Sequence, residues 1–411
     1  RQRQMCIRDR SIVVWLTLGF AMGLTRGFCI HISQAYGKKD YHLVNRGFFV
    51  ASVLSLIVGA MISIVGSLAI RDFLILMHTP GEILEQSLDY IKVILLGFVI
   101  TVLNNLFMSV LQSLGDSSTP FWALLVSSVT NIGLDCVFVL TLKWGVQGAA
   151  AATVLSQVFS FAICAAGLKR LKFVSILDGS KSKNARLTVR MLKTGLPVGI
   201  MSMVTAVGGM ILQFFVNDLG ASAVAAYAAS TKIRSVIGEF SNALGMTFMT
   251  FVGQNYGAQK YDRIKAGVRM GVLLSILIHI PLSAVEIFGG KRIASLMVTD
   301  PPVLELCRQY LLIVGIFVFF LGFLMVFRNC IQGMGNTWIP MLSGGLEVFS
   351  RLIFGYWLGR HSFMGIAAAE ASAWISVSIM LGSSFFILFR KVLRTQTPEN
   401  TTDTKNIRTD S

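Results

Sequence analysis

Charge is scarce in this sequence. Only 14% of its 411 residues are Asp, Glu, Lys or Arg, where an ordinary soluble domain carries about a quarter. With 54% apolar residues and a mean hydropathy of +0.69, the composition excludes a soluble globular chain. Cysteine is sparse and unpatterned. Cys6, Cys29, Cys136, Cys164, Cys307 and Cys330 form no C-x-x-C pair. They build no disulfide or metal framework and read as small apolar filler. The five histidines are scattered, and no H-E-x-x-H, P-loop or nucleophile elbow occurs, so nothing points to zinc, nucleotide or acyl-transfer chemistry. A membrane-embedded transferase would need an interfacial cluster of acids, histidines or metal ligands, and none is visible. The chain is therefore read as no enzyme and as needing no organic cofactor or resident metal. Strand-like alternation is missing too, which excludes a transmembrane barrel.

What is present is apolar sequence in long runs. Eleven are about 20 residues or more, the length that crosses a bilayer as helix: 11–35, 47–70, 90–111, 120–142, 146–168, 196–216, 222–255, 266–288, 310–330, 338–358 and 363–389. Trp122 and Trp144 bracket one run, Trp338 and Trp357 another, as interface anchors do. The net charge of +16 raises the possibility of nucleic acid, but its distribution argues for topology. With the C-terminus in the cytoplasm and the loops alternating, inner segments carry 17 Lys and Arg and outer loops 6. That is the positive-inside asymmetry. The expected location is a bacterial inner membrane, crossed many times.

The sequence is also written twice. "SQAYGKKDY" at 33–41 and "GQNYGAQKY" at 253–261 place Gln34, Tyr36, Gly37 and Tyr41 against Gln254, Tyr256, Gly257 and Tyr261. "LQSLGDSSTP" (111–120) aligns with "IQGMGNTWIP" (331–340) at the same offset of 220, as does Tyr90 with Tyr310. "QGAAAAT" (147–153) resembles "MGIAAAE" (364–370) at an offset of 217. Matches at nearly one offset across three loops mark a duplication. Six spans separate the copies, so both lie on the basic side and the halves are parallel repeats. The first half is expected over 11–168, a basic cytoplasmic linker over 169–194, the second half over 195–389, and a polar cytoplasmic tail over 390–411. Each Q-x-Y-G copy is expected to close the second helix of its half, with Gly37 and Gly257 in the left-handed conformation that ends a helix.

The second half opens with the run at "GLPVGIMSMV" (195–204), whose counterpart falls before residue 1. Residues 1–10, "RQRQMCIRDR", are charged and match nothing in the other half. "MCIRDR" resembles a translated library-preparation adapter, so 1–10 is read as a sequence scar. The expectation is a twelve-span protein of which this chain carries eleven.

Two parallel six-span halves with "GQNYGA" closing a second helix resemble the multidrug and toxic-compound extrusion (MATE) transporters. "GLP" at 195–197, "AAYAASTKIRS" (225–235), "SLGDSSTP", "NIGLD" (131–135), "GVQGAAAATVLSQ" (145–157) and "GGLEVFSR" (344–351) add to the match. The resemblance covers 11–395 and implies an all-α polytopic fold of two lobes. It also implies a Na⁺- or H⁺-driven antiporter that exports cationic amphipathic compounds as a monomer, its lobes opening a central cleft to alternate sides.

Ionisable groups inside spans are costly and mark function by default. Asp135 lies in the run 120–142, with Asn131 one turn earlier on the same helix face. Thr153 lies in the next run and Asn105 in the previous one. A carboxylate, amide oxygens and a hydroxyl suit Na⁺, or a carboxyl that takes a proton when dehydrated. The resemblance implies the same four residues as a cation site of the N-terminal lobe; a hydrogen-bonded Asn–Asp helix contact is the simpler alternative. In the second half, Glu347 and Arg351 are spaced i,i+4 as an intrahelical ion pair. Glu239, Arg328, Glu347 and Arg351 are the candidates for a substrate cleft, Arg328 also as a partner of Glu239 or Glu347. A lipid-linked oligosaccharide flippase is the competing reading; it needs a cleft rich in Arg or Lys, for which Arg26 and Arg328 are the available residues.

Overall fold

The structure is a computed structural model, and it describes residues 2–76, 81–175 and 184–394. The expected scar at 1–10 falls in part, and the end of the expected tail wholly, outside them. Among the described residues every regular element is helical, the one open-chain solution a bilayer core permits. The helices are α1 (Gln2–Gly37), α2 (Tyr41–Leu76), α3 (Gly81–Leu96), α4 (Phe98–Ser113), α5 (Ser118–Asp135) and α6 (Gly145–Arg170). There follow α7 (Ala185–Asp218), α8 (Ala221–Gly257), α9 (Tyr261–Ala284), the short α10 (Gly290–Ala294), α11 (Pro301–Gly333), α12 (Trp338–Phe354) and α13 (Phe363–Arg394). Wider π-helical turns continue α5 over Cys136–Thr141, α9 over Val285–Gly289 and α12 over Gly355–Gly359. By length and composition, seven of the described helices can cross a membrane, or eight if a bent pair counts as one span. That number is smaller than the eleven apolar runs. One reason is that α8 dilutes its apolar residues with Lys232, Arg234 and Glu239. The bent pair is α3 and α4, where the run 90–111 turns by 46° about Gly97. A side chain on Gly97 would run into Val154.

The chain divides into two compact units, Arg1–Ala206 and Val207–Ser411. In the first, α1 and α2 pack on α4, and α4 and α5 pack on α6. Leu24, Phe28, Ile32, Phe48, Leu106 and Val110 lie at the centre of this core. Gly27 lets α1 approach α7 closely: a Cβ there would stand 2.6 Å from the Gly195 Cα. Small residues serve this purpose where lipid supplies no hydrophobic drive between helices. In the second unit α11 is the central helix, packed against α8, α9 and α13. Leu, Val, Ile and Cys face inward from it, and Tyr310 and Trp374 are among the largest fully buried side chains. Large apolar side chains also point outward in number. Trp122, Trp144, Trp338 and Trp357 are 53–72% exposed, an arrangement for lipid rather than water.

The duplication is visible in backbone detail. At the end of α1, Lys39 N–H donates to Tyr36 O and Asp40 N–H to Ala35 O. At the end of α8, Gln259 N–H donates to Tyr256 O and Lys260 N–H to Asn255 O. Both are Schellman closures. The left-handed residue is Lys39 (φ 60) in one and Gln259 (φ 58) in the other. This corrects the expectation for Gly37 and Gly257, which are the last helical residues of α1 and α8. The closure's hydrogen-bond register puts the reversed backbone two positions later. The second repeated loop closes in the same way at Gly115 (φ 95) and Gly335 (φ 91). The next residue in each copy then caps the following helix: Asp116 accepts from Thr119 N–H at 3.0 Å and Asn336 from Ile339 N–H at 3.2 Å. The π turns after α5 and α12 begin 219 residues apart, at Cys136 and Gly355.

Candidate functional site

In the first unit Asp135 is the last residue of α5, placed where the α-helical ladder gives way to the π turn. Asp135 and Asn131 are both half-buried. One carboxylate oxygen of Asp135 and the Asn131 amide nitrogen are sealed from solvent without a hydrogen-bond partner. Buried polar atoms are ordinarily satisfied, so two orphans one turn apart call for a physical explanation. Thr153, on α6, donates its hydroxyl to Ala149 O at 3.0 Å. Asn105, on α4, donates its amide to Thr101 O at 2.9 Å. The Thr153 hydroxyl proton and one N–H of Asn105 are spent on their own helices, and both side chains keep oxygen lone pairs. α6 packs against both α4 and α5, and Ser127 Oγ donates to Ser156 O at 3.0 Å across one of those contacts. Thus the four candidates stand on three adjacent helices. Next to Asn105, Asn104 donates to Gln157 Oε1 at 2.7 Å, a polar tie between α4 and α6.

The second unit holds a chain of buried ion pairs. Arg328 on α11 contacts Glu347 on α12 at 3.0 Å, and Glu347 contacts Arg351 at 2.9 Å. Arg351 lies 3.6 Å from Glu370 on α13, and Glu370 lies 3.0 Å from Arg234 on α8. The sequence +, −, +, −, + ties four helices together and leaves one positive charge in excess. The Tyr310 hydroxyl donates to Glu370, and Arg234 lies 5.7 Å from the centroid of Trp374. Of the four cleft candidates, Arg328, Glu347 and Arg351 are brought together, and Arg328 takes Glu347 rather than Glu239. Glu239 is exposed on α8 and joins none of the ion pairs among the described residues. Because the arginines are engaged by glutamates, Arg328 is not open to a pyrophosphate. His279 is a satisfied core residue: Nδ1 donates to Ser275 O at 2.6 Å, so Nε2 accepts from Ser241 Oγ at 2.8 Å. Among the described residues no group of three or more His, Cys, Asp or Glu is placed to hold a metal.

Arg234, Glu370 and Glu286 belong to this centre and were missed as site residues. The signal was present: each is an ionisable residue inside an apolar run, Arg234 within "AAYAASTKIRS" and Glu370 at the end of the repeated "MGIAAAE". Arg234 and Glu370 stand inside stretches that serve as family and repeat markers, and Glu286 stands in no motif.

A duplicated, all-helical chain that can cross a bilayer many times and keeps paired charges and orphan polar atoms inside its helices is a membrane transporter. The MatE family model matches residues 11–137 and 197–357, and the chain belongs to that family. It is 27% identical over 375 residues to the probable multidrug resistance protein YoeA of Bacillus subtilis, covering 86% of this chain and 81% of that one. It is also 24% identical over 336 residues to an FAD transporter of Shewanella oneidensis, covering 78% and 72%. Among solved structures, a MATE in complex with MaL6 superposes with a TM-score of 0.88 at 22% identity, over 96% of this chain and 90% of the other. An outward-facing multidrug resistance MATE transporter of the MOP superfamily gives a TM-score of 0.87 at 22% identity, over 94% and 88%.

Proposed function

We propose that this protein is a cation-coupled antiporter that exports cationic amphipathic small molecules across a bacterial inner membrane as a monomer, its C-terminus in the cytoplasm. The orientation is supported by the Lys and Arg asymmetry of the loops. Export of drugs is supported by relatives that carry multidrug resistance in their names. The coupling ion is Na⁺ or H⁺, and Asp135, Asn131, Asn105 and Thr153 hold it. One observation carries this site: the orphaned Asp135 oxygen beside the orphaned Asn131 amide. An ionised carboxylate at bilayer depth is expensive without a counter-charge, and a bound cation supplies one. Half a turn of the Asn131 amide exchanges its nitrogen for its oxygen, which presents an amide oxygen to the ion. Antiport then follows if the ion and the drug favour opposite states of the transporter, since only differential affinity shifts such an equilibrium.

The test is efflux from proteoliposomes under imposed Na⁺ or pH gradients. Asp135→Asn is expected to abolish gradient-driven efflux while folding is preserved. Asn131→Ala is expected to weaken coupling less, because water replaces a neutral ligand more readily than a charged one. Efflux by Asp135→Asn at the parent rate would show that Asp135 is a structural hydrogen-bonding residue.

A further inference from the structure

A second carboxyl is buried where the coupling site does not use it. Glu286 lies in the π turn that continues α9. It is 1% exposed, and neither of its carboxylate oxygens has a hydrogen-bond partner. The turn packs against α9, α10 and α11. A Cβ on Gly315 of α11 would stand 3.1 Å from that of Glu286, so the glycine leaves room for it. Arg234 and Glu370, from the end of the ion-pair chain, are the charges that act on it. The remaining ionisable groups on the packed elements are otherwise occupied or exposed. Tyr310 donates to Glu370, and Arg328 pairs with Glu347. His279 has both ring nitrogens hydrogen-bonded. Lys291 and Arg308 both pair with Glu305 at the exposed end, where Arg292 is also exposed.

Charge counting gives this carboxyl a role. The chain Arg328–Glu347–Arg351–Glu370–Arg234 has three cations and two anions. Ionised, Glu286 neutralises the excess; protonated, it leaves the excess on the cluster. Arg234 is the terminal member, its side chain is 23% exposed, and its Nε has no partner. It has a free N–H to offer a second carboxylate without releasing Glu370. We propose that Glu286 is a reversible proton-binding site of the second unit. It holds a proton while Arg234 serves Glu370 alone, and gives it to water when Arg234 serves both carboxylates. The only bond made or broken is the O–H of the Glu286 carboxyl, and water is the donor and acceptor of the proton. A metal cation fits poorly here. Hard cations want several oxygens. Glu370 is engaged by Arg234 and Tyr310, and the guanidinium repels a cation. This site goes beyond the Asp135 assignment and does not depend on it or on the nature of the cargo.

Infrared difference spectroscopy of the purified full-length protein in lipid, between acid and alkaline pH, tests this without any transport measurement. The parent should show the carbonyl stretch of a protonated carboxyl in apolar surroundings, disappearing on the alkaline side. Glu286→Gln, the neutral isostere, should lose that band, whereas Asp135→Asn should keep it. Glu286→Asp should shift the band without removing it, and this variant decides the matter if Glu286→Gln does not fold. A band that Glu286→Gln leaves in place, or one that never titrates, overturns the proposal. So does displacement of the band at constant pH when Na⁺ replaces K⁺. Loss of transport by Asp135→Asn with the band intact would leave both readings standing, and full transport by that variant would remove only the first.

Discussion

The ion-pair chain makes its sharpest prediction at Glu347. Each of its carboxylate oxygens receives one guanidinium, Arg328 at 3.0 Å and Arg351 at 2.9 Å, and all three side chains are 5–7% exposed. Glu347→Gln keeps the shape, removes the charge and turns an N–H₂ toward one arginine. Arg351 retains Glu370. Arg328 retains no ion-pair partner among the described residues. An uncompensated buried charge costs about 3–5 kcal/mol. For a cooperative unit of this size each kcal/mol lowers the melting temperature by about 2–4 °C, so a fall of roughly 6–20 °C is expected. The assay is thermal unfolding of purified protein in one detergent, followed by fluorescence-detected gel filtration. Arg328→Met in the Glu347→Gln background removes the stranded charge and fills its volume with apolar atoms, so most of the loss should be recovered. Replacing a buried pair by apolar groups is often neutral. Glu347→Gln melting within about 2 °C of the parent, or a double variant as unstable as the sum of the two single changes, would refute the reasoning.

Three further outcomes follow from the helix ends and helix contacts. Lys39→Gly and Gln259→Gly should each raise stability by up to about 1 kcal/mol, since glycine has no Cβ penalty at positive φ, whereas Gly115→Ala and Gly335→Ala should each cost about 1–2 kcal/mol; melting temperatures that move the same way in both pairs would contradict this. Asp116→Ala and Asn336→Ala should each cost about 1 kcal/mol through the lost helix cap, and the double variant should be additive in thermal unfolding because the two loops belong to different units. Gly365→Ala should abolish well-folded protein, because its Cβ would run into the Leu358 carbonyl, while Gly133→Ala, with nothing within 4 Å, should be tolerated or mildly stabilising. Yield of monodisperse protein on gel filtration separates the two cases.

Much of this molecule was written locally. Apolar runs of membrane length dictate helices because no other open-chain structure satisfies its own backbone in lipid. A polar turn repeated at one offset dictates a duplication, and the structure repeats it down to the hydrogen bonds at Asp40 and Lys260. Asp135 and Asn131 were legible because i,i+4 spacing on one helix is a local property. The left-handed residue is Lys39 and not the expected Gly37, because residue type suggests where a helix can end, but the hydrogen-bond register decides where it does. The bend at Gly97 depends on how α3 and α4 lie against α6, which no run of apolar residues reveals. Partner choice among the charges was likewise decided only in three dimensions. The sequence marks Glu239, Arg328, Glu347 and Arg351, and equally Arg234, Glu286 and Glu370, as ionisable residues inside apolar runs. Which of them meet depends on helix rotation and packing, and these turned Glu239 outward, joined five charges into one chain across α8, α11, α12 and α13, and left Glu286 buried beside its end.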